Sequence, residues 1–312
     1  MSFSARPPAK LNLTLEVGRR GDDGFHQVRS VFLRIGLCDR LTVRPSVAER
    51  DSLAVSGFGA GSAADNTVMR ALAVLREATG QRLPPLEVEL EKNIPAGAGL
   101  AGGSSDGAAA LELAAVCWGV GLAPEQRLQL AAMLGSDVPF FAADVPAALV
   151  EGRGELLTPL PAVDGRPGVL LLTPPVPVST ARAFAFFDDH AGSSPPSAAS
   201  QAIDELAAAF HAGLDALALV DWAPRLHAAN DLWPAAAALA PVLPGLREGL
   251  ERATGRPWLL SGSGSSLYAL YASPAEAASA AAELVDRPGL VLVGTFICAA
   301  DLEGPDPTWR QP

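Results

Sequence analysis

The chain has 312 residues and 49% hydrophobic content, enough to bury substantial cores and to form two domains. A net charge of −11 and a pI near 4.8 exclude nucleic acid and anionic membrane as general partners, so any phosphate site must be built locally. The longest apolar stretches are broken by proline or glycine well short of about 18 residues, which leaves no candidate membrane span, and Met1 to Lys10 lacks the apolar core of a secretion signal. The expected location is therefore cytoplasmic.

Cys38, Cys117 and Cys298 are odd in number and far apart, so they read as buried free thiols rather than a disulfide framework. Neither they nor the four histidines show ligand spacing, which argues against structural zinc. Of 23 basic residues only Lys10 and Lys92 are lysines. Arginine's planar head cannot copy a compact ammonium beside a reacting centre, which makes Lys10 notable. Lys92 reads as an exposed strand end.

Pro8 to Val17 alternates as a strand, with Lys10, Asn12, Thr14 and Glu16 on one face and Leu11, Leu13, Leu15 and Val17 on the other. Asp22-Asp23-Gly24 is a turn, and Phe25 to Leu33 a second strand. Leu41 to Arg44 and Leu53 to Val55 are further strands. Asp65-Asn66 begins a helix over Thr67 to Leu75, Asn66 being a residue type that caps free amides. Leu86 to Glu91 alternates apolar and acidic residues as a half-exposed strand.

A glycine-rich stretch, Ile94 to Asp106, follows, and then an alanine-rich helix from Gly107 to Val116. Strand, glycine loop and helix suit a polyphosphate, because the first amides of a helix lack partners and its dipole is positive there. Gly97 to Gly102 satisfies GxGxxG, the dinucleotide fingerprint, yet the acidic residue wanted about 20 positions on is missing from Trp118 to Ala123. The Gly-Lys-Ser loop fails as well, since Gly103 stands in the lysine's place. A tight turn with no ligand is the third reading of the spacing alone.

Another helix spans Pro124 to Leu134, ahead of Gly135-Ser-Asp-Val-Pro-Phe-Phe141, and Ala147 to Leu157 reads as a hairpin. Proline-rich Pro159 to Pro167 marks a boundary, with residues 1–160 one domain and 161–303 the next. A strand starts at Gly168, and Asp188 to Gln201 reads as a mobile surface connection. Helices dominate Ala202 to Thr254. Trp258 to Leu270 is strand, Ser-Gly-Ser-Gly-Ser loop, strand. A helix over Pro274 to Val285 and a strand over Gly289 to Cys298 precede a disordered tail, 304–312.

The full string Pro-x-Gly-Ala-Gly-Leu-x-Gly-Gly-Ser-Ser resembles the phosphate loop of the GHMP kinases. With Pro8-Ala-Lys-Leu-Asn-Leu13, Asp23-Gly-Phe-His26, Gly135-Ser-Asp-Val-Pro139, Gly152-Arg-Gly-Glu155, Pro174 to Thr180 and Ser261 to Ser265, it resembles the branch acting on diphosphocytidyl-methylerythritol over nearly its whole length. The resemblance implies a two-domain α+β fold, an N-terminal ribosomal-protein-like domain carrying the phosphate loop and a C-terminal ferredoxin-like domain. It implies a kinase using ATP and Mg²⁺ to phosphorylate the methylerythritol 2-hydroxyl in the non-mevalonate isoprenoid pathway.

In that branch Asp137 matches the base and Lys10 its electrostatic partner. Pro95, Ala96, Gly97, Ala98, Gly99, Leu100, Ala101, Gly102, Gly103, Ser104 and Ser105 match the ATP loop, with Asn66 near the nucleotide base. Asn12, Phe25, His26 and Phe184 match the substrate side, Phe25 standing where tyrosine is usual. The metal's protein ligands are left unassigned. A monomer or weak homodimer is expected, with small-molecule partners only. Asn230-Asp231, followed by Trp233 where an acid is frequent, receives no role.

Overall fold

A computed structural model describes residues 2–58, 66–190, 198–284 and 292–296. In chain order the elements are β1 (Phe3–Ala5), β2 (Pro8–Asn12), β3 (Glu16–Arg20), β4 (His26–Cys38), β5 (Arg40–Pro45), β6 (Ser52–Gly57), α1 (Thr67–Thr79), β7 (Leu86–Lys92), α2 (Gly102–Trp118), α3 (Pro124–Leu134), α4 (Val138–Ala142), β8 (Ala147–Glu151) and β9 (Leu156–Leu160). Then come β10 (Gly168–Leu172), α5 (Thr180–His190), α6 (Ala198–His211), α7 (Ala216–Leu226), α8 (Trp233–Leu239), α9 (Val242–Thr254), β11 (Leu259–Leu260), β12 (Leu267–Tyr271), α10 (Pro274–Leu284) and β13 (Leu292–Phe296). They form two compact units that do not follow the chain linearly. One holds Met1–Ala9, Leu37–Ala96 and Ala101–Val145, and the other Lys10–Gly36, Gly97–Leu100 and Pro146–Pro312.

The first unit is built on a sheet ordered β1-β5-β7-β6, in which β6 runs parallel to β7 and the other pairs are antiparallel. The period of two in β7 turns Leu86, Val88, Leu90 and Lys92 to the buried face. On α1, Val68, Ala71, Leu72 and Leu75 repeat at helical spacing and are buried, the two leucines being worth roughly 1.5–3 kcal/mol each. Small residues let α2 approach α1: a Cβ on Gly107 would lie 2.5 Å from Thr67 Cγ2. The expected helix at Gly107 begins at Gly102 instead, because Ala101 takes a left-handed φ of 56° and turns the chain directly into it. Gly102, Gly103, Ser104 and Ser105 are thus the helix's first turn.

The second unit contains a sheet ordered β2-β4-β8-β9, with β3 paired to β4, and an antiparallel sheet ordered β11-β12-β10-β13. The uninterrupted apolar run of β10 is buried on both faces, as such a run requires. Leu170, Leu172, Trp258, Leu260 and Leu267 pack there with residues of α8, α9 and α10.

The single strand expected over Pro8 to Val17 is broken into β2 and β3. After Asn12 the backbone turns to other partners: the Leu15 amide donates to the Ala229 carbonyl at 2.7 Å, and the Asp231 amide to the Leu15 carbonyl at 2.9 Å. The connection expected from Asp188 begins as the last turn of α5, whose Ala183, Phe184 and Phe187 pack inward. Cys38 is buried, but Cys117, expected to be buried, is only half so, at the outer end of α2. Asp65, Cys298 and the tail lie outside the described residues. Among those residues no helix is long and apolar enough to cross a membrane.

Candidate active site

In the second unit, β2 places Lys10 and Asn12 on one face, as its alternation requires, although both faces are buried: Lys10 and Asn12 are each 3% exposed. The Lys10 ammonium donates to Asn12 Oδ1 and, at 3.3 Å, to the Gly99 carbonyl, and it lies 4.6 Å from the centre of the Phe32 ring. Asn12 Nδ2 donates to Ser30 Oγ at 2.9 Å, and the Lys10 ammonium, which can only donate, fixes which way the amide points. The Lys10 amide donates to Leu100 O, tying β2 to the loop.

The tip of the glycine loop rests on the second Gly-Ser loop of the same unit. Gly99 has φ 78°, and a Cβ there would stand 2.0 Å from the Ser261 carbonyl, so only glycine fits. Ser261 Oγ donates to Gly99 O at 2.9 Å, and the Ser266 amide to Ala98 O at 3.2 Å. Tyr268, whose hydroxyl donates to Asn12 O at 2.7 Å, is fully buried, and burial pushes its pKa up.

His26, from the start of β4, is fixed at both nitrogens. Nδ1 lies 3.0 Å from the Gly18 carbonyl, which can only accept, and Nε2 lies 3.2 Å from Asp188 Oδ1. Its ring stacks on Phe184 at 5.0 Å and meets the edge of Phe187 at 6.0 Å. Phe184 thus lies directly on His26, rather than opposite it across a gap that a base could fill. Phe25 is 53% exposed with the Arg153 guanidinium 5.1 Å from its ring, which rules out a core role.

In the first unit, α2 starts with no side chain capping it. Gly103 presents backbone to open space, its nearest neighbour being Thr67 Oγ1, 3.9 Å from where a Cβ would be. Ser105 Oγ is buried and has no hydrogen-bond partner among the described residues. An uncapped first turn, bare backbone and an unsatisfied hydroxyl are groups that an anion would satisfy. Asn66 caps α1, accepting from the Val68 amide at 3.0 Å, which accounts for its position without a ligand. Asp137 is half-buried at the N-terminus of α4, and its side chain does not cap that helix. A capping role therefore does not explain it.

Three features escaped the sequence reading. Lys92 is buried, not an exposed strand end. Its ammonium bridges Asp39 and Asp106, the latter at 2.6 Å. Burial pulls the Lys92 pKa down, and Asp106 and Asp39 together more than reverse it; burial pushes the Asp106 carboxyl up to about 7 against the pull of Lys92. The period of β7 carried the signal, since Lys92 shares parity with Leu86, Val88 and Leu90. Asp188, which holds His26, was assigned to a surface connection. Asn230 and Asp231 turn out to be structural: Asn230 Nδ2 donates to Leu260 O and Gly262 O, and Asp231 Oδ2 accepts from the Val17 amide at 2.9 Å.

Comparison with known proteins identifies the family. Family profiles described as GHMP kinases N terminal domain and GHMP kinases C terminal match residues 66–152 and 214–289. The 4-diphosphocytidyl-2-C-methyl-D-erythritol kinase of Pelotomaculum thermopropionicum is 38% identical over 90% of this chain and 93% of its own length. That of Symbiobacterium thermophilum is 45% identical over 60% of this chain and 65% of its own. A crystal structure of 4-(cytidine 5'-diphospho)-2C-methyl-D-erythritol kinase, 31% identical, superposes with a TM-score of 0.71, covering 95% of this chain and 100% of that one. The chain is therefore a phosphotransferase of the GHMP kinase superfamily and belongs within it to the 4-diphosphocytidyl-2-C-methyl-D-erythritol kinase family.

Proposed function

We propose that this chain transfers the γ-phosphoryl group of ATP to the 2-hydroxyl of 4-diphosphocytidyl-2-C-methyl-D-erythritol. The observation that carries the reading is the start of α2 in a chain of this family: no side chain caps it, Gly103 leaves its backbone open, and the buried Ser105 hydroxyl lacks a partner. Polyphosphate supplies what those groups want, oxygens for backbone amides and a hydroxyl. Pro95 to Ser105 form the ATP loop, with Asn66 near the base. His26, Phe25 and Phe184 face the cytosine, with the exposed Phe25 ring supplying the stacking face because the imidazole is already covered by Phe184, and Asn12 sits on the polyol side.

A tertiary hydroxyl is a poor nucleophile at neutral pH. Asp137 accepts its proton as the oxygen bonds to the γ-phosphorus and the bond to the β-phosphate oxygen breaks, releasing ADP. The Lys10 ammonium, oriented by Asn12 and the Gly99 carbonyl, stabilises charge at the reacting oxygens. Mg²⁺ accompanies the phosphates and neutralises part of their charge. Among the described residues no three His, Cys, Asp or Glu side chains come together to hold an ion, and no step is routed through a protein ligand to it.

Purified protein given ATP, Mg²⁺ and the diphosphocytidyl substrate should release ADP and a phosphorylated product. Turnover on homoserine, mevalonate or galactose in its place would overturn the substrate assignment. Asp137→Asn should lower kcat by about 10²–10⁴ while ATP still binds. Near-normal turnover would mean that no base sits there.

A further inference from the structure

The phosphate-transfer reading leaves one buried charged cluster of the first unit unused, and that cluster spans both stems of the glycine loop. On the upstream stem, Asp39 Oδ1 accepts from the backbone amides of Asn93 and Ile94, the latter at 2.7 Å, while Asn93 Nδ2 donates to the Cys38 carbonyl at 3.1 Å. The other Asp39 oxygen takes the Lys92 ammonium. On the downstream stem, Asp106 follows Ser105 in α2 and accepts from the same ammonium at 2.6 Å. Where the stems meet, a Cβ on Gly102 would stand 2.8 Å from Ile94 Cγ2 and 3.3 Å from Lys92 Nζ. Gly102 is a glycine so that the stems can close around the lysine.

We propose that Asp39, Lys92 and Asp106 form an ionic clasp that sets the separation of the two loop stems, making Lys92 and Asp106 positioning residues for ATP that do not touch it. The proposal rests on the functional reading above for the identity of the ligand. An ammonium bonded to carboxylates on two segments fixes both at once, and its compact head does so in the tight space beside Gly102 and Ile94, where a larger planar guanidinium would be crowded. That accounts for a lysine in a chain that otherwise uses arginine nearly everywhere. For stability alone a well-packed apolar trio would serve as well or better, so a buried cluster of one cation and two acids points to fixing geometry. The geometry at stake is that of the phosphate-binding amides, which lie between the two clasped stems. Misplacement by about 1 Å can cost on the order of 10²-fold in rate.

Asp106→Asn keeps the shape and removes the charge, and Lys92→Arg keeps the charge and changes the shape. Two readouts decide between a clasp and a plain stabilising cluster: hydrogen–deuterium exchange of the peptide spanning 94–106, and KM for ATP set against KM for the acceptor. The clasp requires Asp106→Asn to speed exchange across the loop and to raise KM for ATP about tenfold, with the acceptor's KM within about twofold of wild type. Lys92→Arg should show the same pattern at smaller amplitude. Should Asp106→Asn not fold, Lys92→Arg carries the test. Unchanged loop exchange together with an unchanged KM for ATP, in a folded variant, overturns the clasp. Were the wild-type protein inactive on the diphosphocytidyl substrate, the functional reading would fall, and loop exchange would still decide the clasp.

Discussion

The two lysines of this chain sit in different surroundings. Lys92 in the first unit is held by two carboxylates, and Lys10 in the second meets the neutral oxygens of Asn12 and Gly99 and the face of Phe32. Both are nearly inaccessible to solvent. Burial alone therefore does not mark a catalytic lysine. Lys92 joins acids on the two stems of the loop, whereas Lys10 meets Asn12, the Gly99 carbonyl and the Phe32 ring; on the proposed function the first holds the loop and the second serves the reaction.

The sharpest way to break that distinction is to remove each ammonium and compare. Lys92→Met leaves two acids buried without a counter-ion, and unfolding free energy should fall by about 3–5 kcal/mol. Urea unfolding followed by circular dichroism measures this. A loss under about 1 kcal/mol would mean that the acids escape to water and that the cluster is loose. Lys10→Arg should lower stability by about 1–3 kcal/mol, because a larger head enters a site only 3% exposed, and lower kcat by about 10²–10³, because the guanidinium keeps the charge but not the compact head. Steady-state kinetics with saturating ATP checks it. Unimpaired kcat would make the retention of lysine at this position a matter of chance.

Local pattern carried much of this in advance, and its failures share a cause. The strand, glycine loop and helix were legible because Leu86 to Glu91 alternates and glycine crowds the following turn. Lys10 and Asn12 were legible as a pair because residues two apart on a strand share a face. The helix start at Gly102 was not, since glycine and serine are poor helix formers and only the left-handed Ala101 and the packing against Ile94 set it there. Lys92 was misread because charge was weighed above parity: the alternation pointed it inward, and the acids that make an inward lysine tolerable lie 53 residues before it and 14 after it. Asn230 and Asp231 serve backbone groups at Val17, Leu260 and Gly262, partners that no local window contains.

The Lys92 side of the comparison also has a pH signature. The Asp106 carboxyl is raised from an ordinary value of 3.8 to about 7, first by burial and then by Asp39, with Lys92 opposing. The folded state thus keeps a proton that the unfolded state has already lost. That contribution is greatest below about pH 4 and is lost as pH rises through about 7, so wild type should lose stability between pH 5 and pH 8. Asp106→Asn should flatten that slope. Equal slopes in wild type and variant over that window would mean that Asp106 titrates as an ordinary surface acid.

The smallest effect belongs to the exposed end of the second unit, where a side chain meets solvent rather than a buried partner. Phe25 stands 53% exposed, braced by the Arg153 guanidinium, itself 3.5 Å from Asp23. Its ring supplies a face but no hydroxyl. Phe25→Tyr adds one group that water already satisfies in the free protein, so stability should move by less than about 0.5 kcal/mol. If the ring lies against the substrate's base, the new hydroxyl can add one hydrogen bond worth about 1 kcal/mol, and KM for the diphosphocytidyl substrate should fall about threefold to fivefold while KM for ATP holds. A change confined to KM for ATP would put Phe25 on the wrong side of the reaction, and the assignment of His26 and Phe184 to the base would go with it, because Phe25 precedes His26 directly in the chain and Phe184 stacks on the same imidazole.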